Sequence, residues 1–219
     1  MSFQRRRQLC AEIIFAGVVV CLLAGCSQQK SNSEIPLKEL PAIETAPPSE
    51  ANRKALPGIV RWETVAPLRH DVAIMESVFW EPADTDSLRA LIFSTPQIKG
   101  SRVLEIGTGS GLVSLCCLQA GAAHVVATDL NSNAVQNVRY NAANFATPEH
   151  LDARLVPRRS PGAWTVLEPD ERFDFIISNP PWEDQKPKSV AEFALYDPNF
   201  LLLDSLVKGA RERKRTPVP

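Results

Sequence analysis

The sequence predicts an α/β fold in which a doubly wound, mostly parallel sheet carries helices on both faces. Four short apolar runs of strand length alternate with segments that have helical or loop patterns. Strands that alternate with helices in this way form parallel sheets. In addition, the first run leads into a glycine-rich turn at the start of a predicted helix, as is typical of the carboxyl edge of such sheets. The predicted strands are Val103–Ile106, His124–Thr128, Ala153–Val156 and Phe173–Ser178.

Helix signals lie before and between these runs. Polar residues at Asp84–Ser87 provide N-cap candidates for a helix that continues through Ile92. Leu112–Ala120 and Ser132–Asn144 are the predicted helices after the first and second runs. Because crossovers between parallel strands are right-handed, we expect these two strands to lie side by side.

One further helix is predicted close to the end of the chain, from Pro198 to about Arg213. Asp197 is placed to cap this helix, and Pro198 suits its first position. Only a short tail, Thr216–Pro219, follows. The sheet is therefore expected to be truncated after its fourth strand and this helix, and the folded domain, residues 59–219, to be incomplete at its C-terminus.

The first 58 residues differ in character from the rest. Three arginines at positions 5–7 precede an apolar run, Ile13–Ala24, that is too short to span a bilayer comfortably. This order predicts an export signal at residues 1–25. Residues 26–58 are rich in Ser, Pro, Glu, Lys and Ala without strand or helix periodicity, which predicts a disordered tether.

The apolar run ends in Leu23-Ala24-Gly25-Cys26, which resembles the lipobox of bacterial lipoproteins. In that family the chain is cleaved before the cysteine, which is then acylated. The resemblance implies that Cys26 anchors the mature protein on the exported side of a bacterial membrane. The alternatives are an uncleaved anchor or a wrongly assigned start codon, and the alternative location is the cytoplasm. Glu12, beside the apolar run, is slightly unfavourable for an export signal.

Charge and cysteine content support two further expectations. A net charge of −1 gives no reason to expect a general nucleic-acid binder, because such proteins carry a basic excess. The five cysteines form no metal or disulfide pattern, so no metal site is predicted, and the adjacent Cys116 and Cys117 are interpreted as small core residues. Several basic residues could form a local patch, or could instead lie solvated on loops and helix ends. They are Arg154, Arg158, Arg159, Arg211, Arg213, Lys214 and Arg215.

The first candidate site follows the first predicted strand, in the sequence Glu105-Ile106-Gly107-Thr108-Gly109-Ser110-Gly111. Glycines allow the backbone to bend tightly and approach a ligand, and the start of a helix offers free N–H groups. The spacing is Gly-x-Gly-x-Gly, and Leu112 stands where a dinucleotide fingerprint has its third glycine. This spacing favours a ligand without a pyrophosphate.

An acidic residue, Asp129, ends the second predicted strand. A carboxylate at the carboxyl edge of the neighbouring strand can accept hydrogen bonds from ribose hydroxyls, which suits a nucleoside. Taken alone, Asp129 could equally be the N-cap of the next helix. Its position beside the glycine turn favours ribose binding.

The fourth predicted strand is followed at once by Asn179-Pro180-Pro181-Trp182. Two prolines remove backbone donors and stiffen the loop, so the Asn179 side-chain oxygen and the Pro180 carbonyl are held as acceptors beside an aromatic ring. Such a site would hold a planar NH2 group and align its nitrogen for attack on a methyl group. The alternative is a strand-ending turn with Trp182 as a packing residue.

At these residues the chain resembles the class I S-adenosylmethionine-dependent methyltransferases, in particular the group with release-factor glutamine methyltransferases and RNA or DNA amino-methyltransferases. The resemblance extends from about Val78 to Arg213 and includes the lead-in Val78–Pro82. It implies a Rossmann-like fold and S-adenosyl-L-methionine as cofactor. It also implies that the methionine part contacts Glu105, Gly107, Thr108, Gly109 and Gly111, that the ribose binds Asp129, and that the adenine lies near Leu130.

The resemblance also implies what the protein acts on. Asn179 and Pro180 would orient the nitrogen of a planar amide or amino group, with Trp182 stacked on its plane. The substrate could be a protein, a nucleic acid or a small molecule.

The sequence departs from the family in two places. The family often has an acid near the adenine amine after the third strand, whereas this chain has Pro157–Pro161 there. The family sheet has seven strands, and without the fifth, the fourth strand is expected to become an exposed edge. The alternative function is therefore a non-catalytic fragment, or one that a partner completes; a dinucleotide-dependent oxidoreductase is disfavoured by the glycine spacing and the Asn-Pro-Pro-Trp motif.

Overall fold

The protein has an α/β fold built on a six-stranded sheet, seen in a computed structural model that describes residues 14–15, 18–20, 58–145 and 147–214. Cys26 and most of the predicted signal and tether lie outside the described residues. The strands are β1 (Ile14–Phe15), β2 (Val18–Val20), β3 (Ile59–Glu63), β4 (Val72–Met75), β5 (Arg102–Ile106), β6 (His124–Asp129), β7 (Leu151–Leu155) and β8 (Phe175–Ser178). The α-helices are α1 (Asp86–Ser94), α2 (Leu112–Gln119), α3 (Ser132–Asn144) and α4 (Leu201–Lys214).

The strand order of the sheet is β1-β2-β8-β5-β6-β7. All neighbours are parallel except β1 and β2, which are antiparallel. The predicted adjacency of the first two core strands is confirmed, since β5 pairs with β6 from Arg102 opposite His124 to Ile106 opposite Thr128. The four predicted strands are all present, with bounds that differ from the prediction by at most two residues.

Alternate residues of the central strands bury opposite faces of the sheet. Val103 and Ile177 belong to one hydrophobic core, with residues of α1 and α2. Leu104 and Ile176 belong to a second core, with Leu206 and Ala210 of α4. Because successive side chains of a strand point to opposite faces, these two cores place helices on both sides of the sheet, as predicted.

The last helix begins later than predicted. Asn199 and Phe200 have φ angles of 56° and 55°, outside helical geometry, so Pro198 starts only a short 3-10 turn and α4 begins at Leu201. The cap is where the sequence placed it. The buried Asp197 carboxylate accepts hydrogen bonds from the backbone N–H groups of Leu202 and Leu203, both at 3.0 Å.

A closely packed contact docks α4 on the segment between β7 and β8. The Trp164 indole N–H donates to the Ser205 carbonyl at 2.9 Å, and a Cβ built on Gly209 would lie 2.0 Å from the same indole nitrogen. Only a glycine at position 209 leaves room for the ring. The helix therefore covers the second core through a specific packing partner as well as through its apolar residues.

The sequence did not predict the hairpin of β3 and β4. The two strands form a separate antiparallel sheet, with Trp62 opposite Ala73 and Glu63 opposite Val72. Val72 is fully buried in the first core. The chain then leads through Glu76 towards the carboxyl edge of the main sheet.

No strand follows β8 in the described part of the chain. The prediction that β8 forms an exposed edge is wrong. Val18–Val20 of β2 pairs in parallel with Ile176–Ser178, so a segment from the predicted export signal takes the neighbouring position.

The two adjacent cysteines are core residues, as the sequence indicated. Cys116 and Cys117 are free and buried in the first core, and burial raises the pKa of Cys116 to about 12. No cluster of side chains suited to a metal ion occurs among the described residues. Likewise, none of the helices in the part that the structure describes is long and apolar enough to cross a membrane.

Candidate functional site

A cleft lies at the carboxyl edge of the sheet, where β5, β6 and β8 end. Its lining includes Glu105, the loop Gly107–Ser110, Asp129 and Asn179. These residues come from three consecutive strand ends, and parallel strands bring their carboxyl ends to one edge. The predicted cofactor loop, ribose ligand and substrate motif therefore share one cleft.

The glycine loop is fixed by backbone bonds to the neighbouring strand. The N–H groups of Gly107 and Thr108 both donate to the Thr128 carbonyl, at 2.8 and 3.0 Å. Gly107 has a φ of 77°, and a Cβ added there would meet nothing within 4 Å. The loop thus presents bare backbone to open space, which is what close approach of a ligand requires.

Gly111 lies in close packing with a neighbouring helix. A Cβ added to Gly111 would lie 2.5 Å from the Val138 side chain, and its φ of 85° is left-handed. Gly111 does not line the cleft, although the sequence analysis counted it among the cofactor contacts. The glycine instead lets the start of α2 pack closely against α3.

Glu105 is a buried carboxyl group at the floor of the cleft. Its Oε2 accepts a hydrogen bond from the Thr108 hydroxyl at 2.7 Å and another from the Ser114 hydroxyl. Burial is the main cause that raises its pKa to about 7, against the lowering effect of both hydroxyls. A cation bound next to this carboxyl group would stabilise its ionised form and lower the pKa again.

Asp129 holds the loop and still faces the cleft. Its Oδ2 accepts from the Gly109 N–H at 2.9 Å, and its Oδ1 accepts from the Asn131 N–H at 2.8 Å. Burial raises its pKa, and these backbone donors partly offset that effect. Each carboxylate oxygen can accept a further bond, so both remain available to ribose hydroxyls.

The N-cap alternative for Asp129 is not what the structure shows. Asn131 is the N-cap residue of α3, and its side chain accepts from the Asn133 N–H at 3.0 Å. Leu130 lines the cleft beside Asp129, as does Val156 at the end of the next strand. Arg158 and Arg159 are exposed on the loop beyond Val156, where the sequence departs from the family.

The Asn-Pro-Pro-Trp segment extends directly from β8. The Ser178 hydroxyl donates to the Ile106 carbonyl at 2.7 Å, which ties the ends of β8 and β5 together. Asn179, Pro181 and Trp182 line the cleft, and the Asn179 side chain makes no hydrogen bond with the described residues. Pro180 is buried and does not line the cleft.

A wall that the sequence did not predict closes the cleft beyond Trp182. The chain folds back on itself, since the Glu183 N–H donates to the Leu195 carbonyl and the Asp197 N–H donates to the Glu183 carbonyl at 2.8 Å. This fold places the short 3-10 helix Ala191–Ala194 in the lining, with Phe193 as its aromatic residue. The pairing is irregular and joins residues a dozen positions apart, so no periodic pattern in the sequence predicts this fold of the chain.

Comparison with known proteins identifies the family. Residues 76–214, more than half of the chain, match the family model described as "Conserved hypothetical protein 95". The chain belongs to this family. Within it, the α/β fold and the methyltransferase relatives make this protein a member of the class I S-adenosylmethionine-dependent methyltransferases.

The curated relatives match only the central part of the chain. A release factor glutamine methyltransferase from Cereibacter sphaeroides is 35% identical over 46% of this chain and 34% of its own length. A tRNA1(Val) (adenine(37)-N6)-methyltransferase from Shewanella baltica is 34% identical over 40% of this chain and 36% of its own. A bifunctional methyltransferase from Rickettsia bellii is 29% identical over 54% of this chain and 21% of its own. The chain thus spans about a fifth to a third of the length of these relatives.

The described residues fit the cofactor of this family. Its methionine part carries an ammonium group and its sulfonium is cationic, and Glu105 supplies a buried carboxyl group for positive charge. The ribose of the cofactor needs hydrogen-bond acceptors, which Asp129 provides. The cofactor can approach the backbone closely at Gly107, where the space is open. The fit is weakest for the adenine, whose surroundings Leu130 and Val156 are apolar.

Proposed function

We propose that this protein is an S-adenosylmethionine-dependent methyltransferase that acts on the nitrogen of a planar amide or amino group. The observation that carries the proposal is the placement of Asn179. Its carboxamide, without a hydrogen bond to the described residues, faces the same cleft as Glu105 and Asp129. A hydrogen-bonding group left open beside a nucleoside-type site suits the recognition of a second reactant.

The geometry of the cleft supports the proposed binding of the cofactor. Glu105 and the loop from Gly107 to Gly109 would hold the methionine part, and Asp129 would accept from the ribose hydroxyls, with Leu130 against the adenine. When bound, S-adenosylmethionine supplies a methyl group on a cationic sulfur, which a nitrogen lone pair can attack. Because the loop is tied to Thr128, the site needs little reorganisation to receive it.

The acceptor side depends on Asn179. Its side-chain oxygen would accept one N–H of the substrate. The Pro180 carbonyl, which the resemblance implied as the second acceptor, lies outside the cleft lining. The Trp182 ring would stack on the planar group and exclude water from it. The Asn179 oxygen and the aromatic plane would restrict the direction of the nitrogen lone pair; as the N–C bond forms, the S–C bond of the cofactor breaks, and the extra proton on nitrogen can leave to solvent.

The substrate class agrees with what the relatives' names state. One is a release factor glutamine methyltransferase and another an adenine-N6 methyltransferase, so both names specify a planar nitrogen group. For this chain we propose the same chemistry on a protein amide or a nucleic-acid base. The low net charge of the chain favours the protein amide, since nucleic-acid binding relies on a basic excess.

The experiment that tests the proposal has two steps. Calorimetric titration with S-adenosylmethionine and with NAD decides the cofactor, and binding of NAD alone would refute the proposal. Transfer of a labelled methyl group to glutamine-containing peptides and adenine-containing RNA oligonucleotides then decides the reaction. Cofactor binding without transfer to either would favour the alternative of a fragment that a partner strand completes.

Asp129→Ala is expected to weaken S-adenosylmethionine binding by about 1–3 kcal/mol, because the ribose hydroxyls and the Gly109 N–H lose their acceptor. Calorimetric titration of both proteins measures the difference. Asp170→Ala is the matched control, since Asp170 is an exposed aspartate outside the cleft lining. Equal affinity of Asp129→Ala and the parent would remove Asp129 from the site.

For the N-terminus, we propose that the mature protein is anchored in a membrane by a lipid on Cys26. The support is the order of arginines, apolar run and Leu-Ala-Gly-Cys in the sequence. Mass spectrometry of the native protein is expected to find an acylated N-terminus at Cys26 in the membrane fraction. An unmodified N-terminus at Met1 in the soluble fraction would show that the segment is not a lipoprotein signal.

A further inference from the structure

We infer that four asparagines, one at the N-cap of α3 and three within the helix, are positioning residues that lock the chain segment Ala73–Ser77 and the glycine loop into one cofactor-binding unit. The four, Asn131, Asn133, Asn137 and Asn141, are here called the asparagine ladder. The inference rests on the proposed function for its effect on cofactor binding. The contacts that form the ladder are present in the protein without any ligand.

Asn141 pairs with β4 as a neighbouring strand would. Its Oδ1 accepts from the Ala73 N–H and its Nδ2 donates to the Ala73 carbonyl, both at 2.9 Å. In an antiparallel sheet, two residues that face each other across neighbouring strands exchange the same pair of hydrogen bonds through their backbones. The carboxamide thus substitutes for a peptide group and satisfies the outer edge of the hairpin.

Asn137, one helical turn earlier, repeats the arrangement. Its Oδ1 accepts from the Met75 N–H at 2.6 Å, and its Nδ2 donates to the Ala73 carbonyl at 2.9 Å. Asn137 and Asn141 are both fully buried. In a buried setting each unpaired polar group is costly, so every one of these bonds restricts the position of the segment.

The same two side chains reach the cofactor loop. The Nδ2 groups of Asn137 and Asn141 both donate to the Ser110 carbonyl, at 3.0 and 3.1 Å. Ser110 lies between Gly109 and Gly111 and lines the cleft. One pair of carboxamides therefore connects the hairpin with the glycine loop directly.

The first two members of the ladder hold the segment where it enters the cleft. Asn131 donates to the Ser77 carbonyl and Asn133 donates to the Glu76 carbonyl, both at 2.9 Å. Ser77 has a φ of 60°, a left-handed conformation that is unfavourable for a residue other than glycine and must be imposed by its surroundings. Beyond this turn Phe79 and Trp80 line the cleft, and the Phe79 carbonyl oxygen would lie 3.9 Å from a Cβ added to Gly109.

The spacing of the ladder residues places three of them on the same side of α3. Asn133, Asn137 and Asn141 are four residues apart, so they lie on one face of α3. Asn144 lies on the same helix but its Nδ2, although buried, has no hydrogen-bond partner among the described residues. It therefore provides a matched control for replacement of an asparagine on this helix.

The experiment compares Asn141→Leu with Asn144→Leu in the full chain, because leucine has nearly the shape of asparagine without its hydrogen bonds. Two quantities are measured where thermal unfolding shows each protein fully folded: affinity for S-adenosylmethionine, and hydrogen exchange of residues 77–82 and 107–111. We expect Asn141→Leu to weaken binding about tenfold or more and to speed exchange in both segments. Asn144→Leu is expected to retain the parental values.

The outcomes separate this inference from the proposed function. Parental affinity and parental exchange in Asn141→Leu would overturn the ladder as a positioning device. Exchange of the central strand residues 102–106 is followed in the same samples, because a general loss of stability speeds exchange there as well. Faster exchange that extends equally to residues 102–106 would also overturn the positioning role, whereas faster exchange confined to the two segments supports it. If Asn141→Leu does not fold, the more exposed Asn133→Ala decides by the same two measurements, with faster exchange in residues 77–82 as the supporting result and parental values as the refuting one. If the parent itself does not bind the cofactor, the proposed function fails and exchange alone decides on the ladder.

Discussion

Asn179→Ala is expected to lower kcat for methyl transfer by on the order of 10²-fold, while S-adenosylmethionine affinity stays within about twofold of the parent. Asn179 contributes the one side-chain acceptor of the Asn-Pro-Pro-Trp segment that faces the cleft, and the described contacts of the cofactor loop do not involve it. Without it, a substrate nitrogen keeps its neighbours but loses the bond that directs its lone pair. Single-turnover transfer and calorimetric titration measure the two effects separately, on the peptide or oligonucleotide that the parent methylates best.

Two further variants make this prediction specific. Asn179→Asp keeps an accepting oxygen at the same place, so it should retain more activity than Asn179→Ala. Trp182→Phe keeps an aromatic plane and should chiefly raise KM, because stacking contributes to binding before the reaction. If Asn179→Ala keeps parental kcat, Asn179 does not orient the nucleophile, and the segment is a strand-ending turn.

The sheet and the cofactor side of the cleft could be predicted because their signals are local. Each core strand is a short apolar run, and residues such as Val103 and Leu104 alternate between two cores. Glu105 lies near the end of one such run and Asp129 directly follows the next. Because the two strands are parallel neighbours, both carboxyl groups lie at the same edge of the sheet. Gly111 shows the limit of this reasoning, because a motif position does not reveal whether its glycine faces a ligand or a neighbouring helix.

The remaining walls of the cleft could not be predicted, since their partners are distant in sequence. Asn137 and Asn141 bond to a strand more than 60 residues before them. On a helical wheel they are indistinguishable from a polar face turned to solvent, and only the docked hairpin makes them buried. The segment Ala191–Ala194 is positioned by backbone bonds of Glu183, which any residue type could make.

Removing residues 1–25 is expected to increase self-association of the chain, because the deletion takes away β2 and leaves β8 without a neighbour on one side. In the full chain Val18–Val20 pairs with Ile176–Ser178. Without this strand, a row of N–H and C=O groups faces no partner, and such an edge recruits other chains. Light scattering after size exclusion, with thermal unfolding of the same samples, measures the change.

A chain that lacks only residues 1–13 is the control, since it retains Ile14–Phe15 and Val18–Val20 and should associate no more than the full chain. The comparison also bears on the proposed lipid anchor. Cleavage before Cys26 removes the same strand, so the apolar segment cannot serve both as a discarded signal and as a part of the mature sheet. If the chain starting at Cys26 is monomeric and unfolds cooperatively, β8 does not need β2, and the anchored protein is stable by itself. If it associates, an exported protein would need a partner strand along Phe175–Ser178 to complete the sheet.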